Sequence, residues 1–174
     1  LKNLSPKMLK VILMHFYKWV RHDHTHFGHH FVEGLNTDKV PFNPSDSGKP
    51  GGFHYSREDI LKFMSHGSIL YQVDIPENTP TYQDPNPSIR FWKSKSIILS
   101  NPRPRNLKTI IELVLEGANP RVCDDSPLII ASNYGWLDLV EYFISCNADI
   151  NAQDGSALKH AMVNRRMDVV QCLI

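Results

Sequence analysis

The chain is predicted to fold as an α+β amino-terminal domain followed by an α-helical repeat solenoid that is truncated at its far end. Three observations carry this. From Asn106 onward, landmark residues recur at one fixed offset of thirty positions. Before Leu99, short aromatic and β-branched runs bounded by Gly and Pro read as strands, with few helical patterns between them. Between the two lies Asn101-Pro102-Arg103-Pro104, which reads as a linker. The expected division is therefore 1–100 for the α+β domain, 101–105 for the linker and 106–174 for the repeats.

In chain order, Ser5-Pro6 opens a helix that places Leu9, Ile12, Leu13 and Phe16 on one side. Phe16 to Val20 then reads as a short strand. Arg21 to Pro50, rich in His, Gly, Asn, Asp and Pro, lacks a period and reads as a long loop or a set of turns; such loops are often functional. Gly51-Gly52 turns into a strand at Phe53-His54-Tyr55, because glycine reaches positive φ without strain. Ser56 followed by Asp59 reads as a capping box opening a helix with Ile60, Leu61, Phe63 and Met64, closed by Gly67. Ile69, Tyr71, Val73 and Ile75 alternate with Leu70, Gln72 and Asp74 as a half-buried strand stopped by Pro76. Turns from Pro80 to Pro87 lead to Arg90-Phe91-Trp92-Lys93 and to a last strand, Ser96 to Leu99.

In the second half, Gly117-Ala118-Asn119 recurs as Asn147-Ala148-Asp149, Ser126-Pro127-Leu128 as Ser156-Ala157-Leu158, Ala131 as Ala161, and Leu139-Val140 as Val169-Val170. All share the offset of thirty. Within one unit, Ser126 is placed to cap a helix with Pro127 at its first position, and Gly135 breaks it. A second helix carries Leu137, Val140, Phe143 and Ile144 on one face. A single repeat cannot bury that face, so these apolar residues are expected in a core shared between units.

Ser126 to Ala131, Ser-Pro-Leu-Ile-Ile-Ala, resembles the T-P-L-H-x-A signature of the ankyrin family, and Asn147 to Ala152, Asn-Ala-Asp-Ile-Asn-Ala, is similar to its G-A-D-V-N-A turn. The resemblance covers a half repeat from Asn106 to about Asp124, a full one from Asp125 to Asp154, and a truncated third ending at Ile174. The period of thirty, against about 33 in the family, implies a shortened finger loop. Arg165-Arg166 stands where a glycine–histidine break is usual, which counts against a regular first helix in the third unit. Family partners bind the loop tips and the concave face. The resemblance therefore implies a protein partner contacting Asp124, Asp125, Asn133, Tyr134, Trp136, Gln153 and Asp154, with Trp136 equally suited to packing between helices.

The first domain carries its own resemblance. Phe16 to Val20, Gly34-Leu35-Asn36, Pro41-Phe42-Asn43-Pro44, Gly51 to Ser56 and Val73-Asp74-Ile75-Pro76 together resemble the domain that precedes ankyrin repeats in proteins of giant amoeba-infecting viruses. This implies a viral protein made inside a host cell, with its repeats continuing beyond Ile174. The apolar run at that residue likewise reads as a piece of a longer chain.

Composition limits the function classes. Nineteen Lys and Arg against eighteen Asp and Glu leave a net charge of +1, without the positive excess that nucleic-acid binders use against phosphate. No run of eighteen apolar residues exists to span a membrane. Cys123, Cys146 and Cys172 lack metal or redox spacing and read as buried thiols in a reducing compartment, which together with the viral resemblance implies the host cytoplasm. Neither a cofactor nor a metal is implied, and the oligomeric state is left open.

Two candidate chemistries stand beside this. His22, His24, His26, His29 and His30 crowd one stretch, and His26 and His30 have the i, i+4 spacing of two ligands on a helix. Gly28 weakens such a helix and no cysteine is near, so solvated loop histidines are the expectation. Gly34-Leu35 followed by Gly-Phe-His-Tyr-Ser also resembles ADP-ribosyltransferase-like folds, which clamp a nicotinamide nucleotide between two strands. That alternative implies NAD-dependent transfer through His15, Tyr55, Ser56 and Glu77, with the repeats choosing the target. The plainer roles are a sheet residue for Tyr55, a helix cap for Ser56 and a turn residue for Glu77.

Overall fold

A computed structural model describes residues 15–26, 28–44 and 49–174. The helix expected from Ser5 lies outside the described residues. The first half is a seven-stranded antiparallel sheet in the order β4-β9-β6-β1-β5-β8-β7. Its strands are β1 (Phe16–Val20), β4 (Gly34–Thr37), β5 (Phe53–Ser56), β6 (Ile69–Asp74), β7 (Thr81–Gln83), β8 (Phe91–Ser94) and β9 (Ser96–Pro104). A separate hairpin pairs β2 (Thr25–His26) with β3 (His29–His30). The expected loop from Arg21 to Pro50 thus holds three short strands, β2 to β4, because cross-strand partners far along the chain supply the pairing that local pattern does not show.

The turn before β5 behaves as glycine chemistry requires. Gly51 has φ +99, and a Cβ there would meet the Pro41 carbonyl oxygen at 2.1 Å. The expected capping box is not formed. Ser56 ends β5, its hydroxyl donates to the Arg90 carbonyl at 2.6 Å, and the helix that follows is a 3-10 helix, Ile60–His66. Asp59 instead accepts the Arg90 backbone N–H, which ties that helix to the start of β8.

Side-chain alternation buries both faces of the sheet. Val20, Tyr71, Val73, Phe53 and Tyr55 pack with Phe31, Ile97 and Leu99 on one face. Tyr17, Trp19 and Leu70 on the other join Ile60, Leu61 and Met64 of the 3-10 helix and continue into Ile110, Leu113, Leu128, Val140 and Phe143 of the repeats. One core therefore runs through sheet and repeats.

The repeat helices are α1 (Leu107–Leu115), α2 (Val122–Tyr134), α3 (Leu137–Ser145), α4 (Ala152–Val163) and α5 (Met167–Leu173). Asn106 caps α1, accepting the Thr109 N–H at 2.9 Å. The inner helices α2 and α4 stand side by side, with α1, α3 and α5 forming the outer row. Thirty positions before Ser126–Tyr134 lies 96–104, where a complete unit would have its inner helix. That segment is β9, which holds the strand expected at Ser96 to Leu99. Its far half, Asn101-Pro102-Arg103-Pro104, expected as a linker, pairs with β6 at Leu70↔Arg103 and Ile69↔Pro104. The 3-10 helix Ile60–His66 takes the vacant place and packs directly on α2. The sheet domain thus supplies the polar-capped end that a repeat stack needs.

Candidate functional site

The surface of the repeats is set by two matching turns. Cys123, Asp124 and Asp125 have φ of 52, 53 and 56, and Gln153, Asp154 and Gly155, thirty positions on, have 51, 58 and 70. Three successive left-handed residues make a compact finger in place of a longer loop, which accounts for the short period. Non-glycine residues in this region cost roughly 1–2 kcal/mol each, so side-chain bonds must hold them. Arg121 and Asp125 bond at two points, 2.9 and 2.8 Å, and Asp125 also accepts the Asp149 backbone N–H at 3.0 Å. Gln153 Nε2 donates back to the carbonyls of Cys123 at 3.1 Å and Asp124 at 2.8 Å. The first finger is bound in the same way from the sheet side: the Asn119 N–H donates to the Glu58 carbonyl at 2.7 Å, and Lys62 Nζ donates to Ser126 Oγ at 2.8 Å. Ser126 is therefore not the helix cap its position suggested; its hydroxyl donates to the Cys123 carbonyl offered by the left-handed turn.

These bonds sort the expected partner residues. Asp124, Asp154 and Gln153 are exposed at the finger tips, and Asn133 is half-buried with its side chain accepting from Asn164 Nδ2 at 3.0 Å. Asp125 is only 1% exposed and belongs to the scaffold. Tyr134 is 44% exposed and stacks on half-buried Trp136, with ring centroids 4.8 Å apart and an interplanar angle of 11°. The Arg105 guanidinium lies 3.9 Å from the Trp136 ring centroid, and its Nη1 donates to the Met64 carbonyl at 2.9 Å. Trp136 thus joins the packing between sheet and repeats, while Tyr134 offers its free edge outward. At the end of α4, Arg165 takes the left-handed conformation (φ 55) that Gly135 (φ 76) takes at the end of α2. The first helix of the third unit forms in spite of the missing glycine.

The residues of the transferase alternative do not converge. His15 makes ring contact with Tyr17 on one face of the sheet, whereas Tyr55 packs on Phe16 on the other. Tyr55 hydroxyl bonds to Ser94 Oγ at 2.6 Å, Ser56 is committed to the Arg90 carbonyl, and Glu77 is exposed past the end of β6. The histidines form no helix: β2 and β3 pair as a hairpin, with His26 opposite His29 and His30 opposite Thr25. The i, i+4 pair is therefore split between faces. Among the described residues, no group of three or more His, Cys, Asp or Glu is placed to hold a metal ion.

Sequence reading missed a cavity of about 820 Å³ where β1 and β5 part. These strands pair at Tyr17↔Ser56 alone, and Lys18 of β1 spans the opening by donating to the His54 carbonyl of β5 at 2.9 Å. The available signal was Lys18 itself, a cation inside the aromatic strand Phe-Tyr-Lys-Trp-Val.

Comparison with known proteins places the chain. A family model of ankyrin repeats in three copies matches residues 102–174. Ankyrin repeat protein R229 of Acanthamoeba polyphaga mimivirus is 32% identical over 123 residues, covering 67% of this chain and 40% of that protein. Ankyrin repeat protein R896 of the same virus is 24% identical over 157 residues, covering 88% of this chain and 47% of that protein. The chain spans less than half the length of either relative. No solved structure matches it. Among the described residues, no helix is long and apolar enough to cross a membrane. Residues 102–174 are ankyrin repeats, and the chain is a homologue of the mimivirus ankyrin repeat proteins, with a strand-rich domain ahead of a short helical stack.

Proposed function

We propose that this chain recruits a host or viral protein through its repeat surface, inside the infected cell, without a cofactor. The repeats make it a protein–protein interaction module. The observation that carries the finer reading is the pair of fingers. Asp124 and Asp154 are exposed on tips whose backbones are held by Asp125 and Gln153, so their carboxylates are presented on a pre-organised frame. Beside them, Tyr134 supplies a large ring already stacked on Trp136, which lowers the entropy lost on burial. A partner with a basic segment and an apolar anchor fits this surface.

The test uses the wild-type chain and an Asp124→Lys/Asp154→Lys/Tyr134→Ala variant as baits in amoebal host lysate. A protein captured by the wild type should be lost at least tenfold from the variant, with the circular dichroism spectrum unchanged. Equal capture would place the contact elsewhere on the molecule.

A further inference from the structure

The cavity beside Lys18 holds a buried charge that no carboxylate among the described residues pairs with. Lys18 is 5% exposed, and among the described residues no carboxylate lies within ion-pair distance of it. Its ammonium donates to the His54 carbonyl and sits 5.1 Å from the Phe31 ring centroid, which leaves donor capacity beyond one hydrogen bond. A buried ammonium without a counter-charge is costly unless something supplies one.

Among the described residues, the titratable groups around it do not supply one. His26 of β2, His29 of β3, His54 of β5 and His66 of the 3-10 helix line the same cavity. Burial first, and the Lys18 charge second, push His26 down to about 4 and lower His66, so both are neutral at pH 7. Of the carboxylates in the wall, Asp38 accepts the N–H groups of Val40 and Gly52 at 2.9 and 2.7 Å, and Asp84 accepts that of Asn86 at 2.9 Å. Arg21, near His26, adds positive charge.

We propose that this cavity binds a small organic anion, with the negative group against the Lys18 ammonium and an apolar or aromatic body against Phe31, Phe53 and Phe63. The size is that of small-molecule pockets, on the order of 300–1,000 Å³. The walls suit the body of such a ligand: the Phe31 and Phe53 centroids are 5.0 Å apart, and Phe63 of the 3-10 helix stands edge-to-face with Phe91 of β8. A solely structural Lys18, there to satisfy the His54 carbonyl, requires neither the volume nor the aromatic walls.

The test titrates the full chain with 1-anilinonaphthalene-8-sulfonate and with its uncharged counterpart N-phenyl-1-naphthylamine, by calorimetry and fluorescence. One sulfonate site per chain is expected at pH 7, at least tenfold tighter than the neutral probe. Burial lowers Lys18 to about 8, so its charge is lost with rising pH. Sulfonate affinity should then fall about tenfold from pH 7 to pH 9, while the neutral probe is unaffected. Lys18→Met should abolish the preference for the anion. Equal affinity for the two probes, several weak sulfonate sites, or a folded Lys18→Met that keeps the preference would each overturn the proposal. The probe pair and the pH series need only the wild-type protein, so the test stands even where the variant fails to fold.

Discussion

Arg121 and Asp125, four residues apart, face each other across a left-handed turn and bond at two points, Nε to Oδ1 at 2.9 Å and Nη2 to Oδ2 at 2.8 Å. The Arg121 bond holds the Asp125 carboxyl below the usual range, and the Asp149 N–H adds to it. A carboxylate lowered in the folded state contributes stability that is present above its unfolded value, about 4, and is lost as pH falls through the lower folded value. Asp125→Ala should cost on the order of 1–2 kcal/mol at pH 7. The difference from wild type should shrink as denaturation is followed from pH 5 toward pH 2. A gap independent of pH would mean that the side chain acts through packing alone.

Gly135 and Arg165 occupy equivalent left-handed positions, closed by the same hydrogen bonds: Trp136 N–H to the Ala131 carbonyl at 3.0 Å, and Arg166 N–H to that of Ala161 at 2.9 Å. Arg165→Gly should stabilise the chain by about 0.5–1 kcal/mol, the relief of a side chain in this region less the added freedom of the unfolded glycine. Gly135→Ala should destabilise by at least 1 kcal/mol, because its Cβ would also meet Arg166 Cδ at 2.6 Å. Urea titrations of both variants read the two signs, and a destabilising Arg165→Gly would refute the equivalence.

Sheet and repeats should unfold together. Tyr17 hydroxyl donates to Glu116, whose carboxylate also binds Arg103 at 3.1 Å, and Leu61, fully buried in the 3-10 helix, lies in the core shared with the repeats. Leu61→Ala should cost about 2–5 kcal/mol and lower the midpoint by helical circular dichroism and by tryptophan fluorescence equally. The excised segment 106–174, lacking that cap, should be largely unfolded. A cooperative melt of the excised repeats at the temperature of the full chain would show the cap to be dispensable.

The repeats were legible because their information is local and recurs: Ser126-Pro127-Leu128 and Ser156-Ala157-Leu158 fill the same role thirty positions apart. The end of the recurrence was legible too, since β-branched Ile97 and Ile98 mark a strand where a complete unit would have an inner helix. Their partners Asn36 and Leu35 of β4, and the extension of the strand through Pro104, were not, because no local pattern shows that pairing. For the same reason the 3-10 helix could be foreseen as a helix but not as a substitute repeat element. Asp125 was placed among the partner-contacting residues by the resemblance to ankyrin loop tips; its burial depends on Arg121 and on Asp149 in the next finger. Lys18 was hidden by context too, since its cavity exists only where two strands distant in sequence part.

Removal of metal should leave the fold unchanged. A structural zinc contributes on the order of 10 kcal/mol to a small domain, so a domain built on one unfolds with a chelator. Here the histidines are spent differently. His29 packs against Phe31 and Phe53 with ring centroids 4.6 Å from each, His24 and His30 contact each other at 6.2 Å, and His26 contacts His66 at 6.0 Å. The rings serve as aromatic packing on two faces of one hairpin, and zinc demands four ligands converging at about 2 Å. Melting temperatures with and without EDTA should agree within about 1 °C, since the loss of such a site would shift them by many times that amount. A drop of several degrees, or zinc at one equivalent by elemental analysis of the purified chain, would show that these side chains rearrange around an ion and would overturn their assignment to packing.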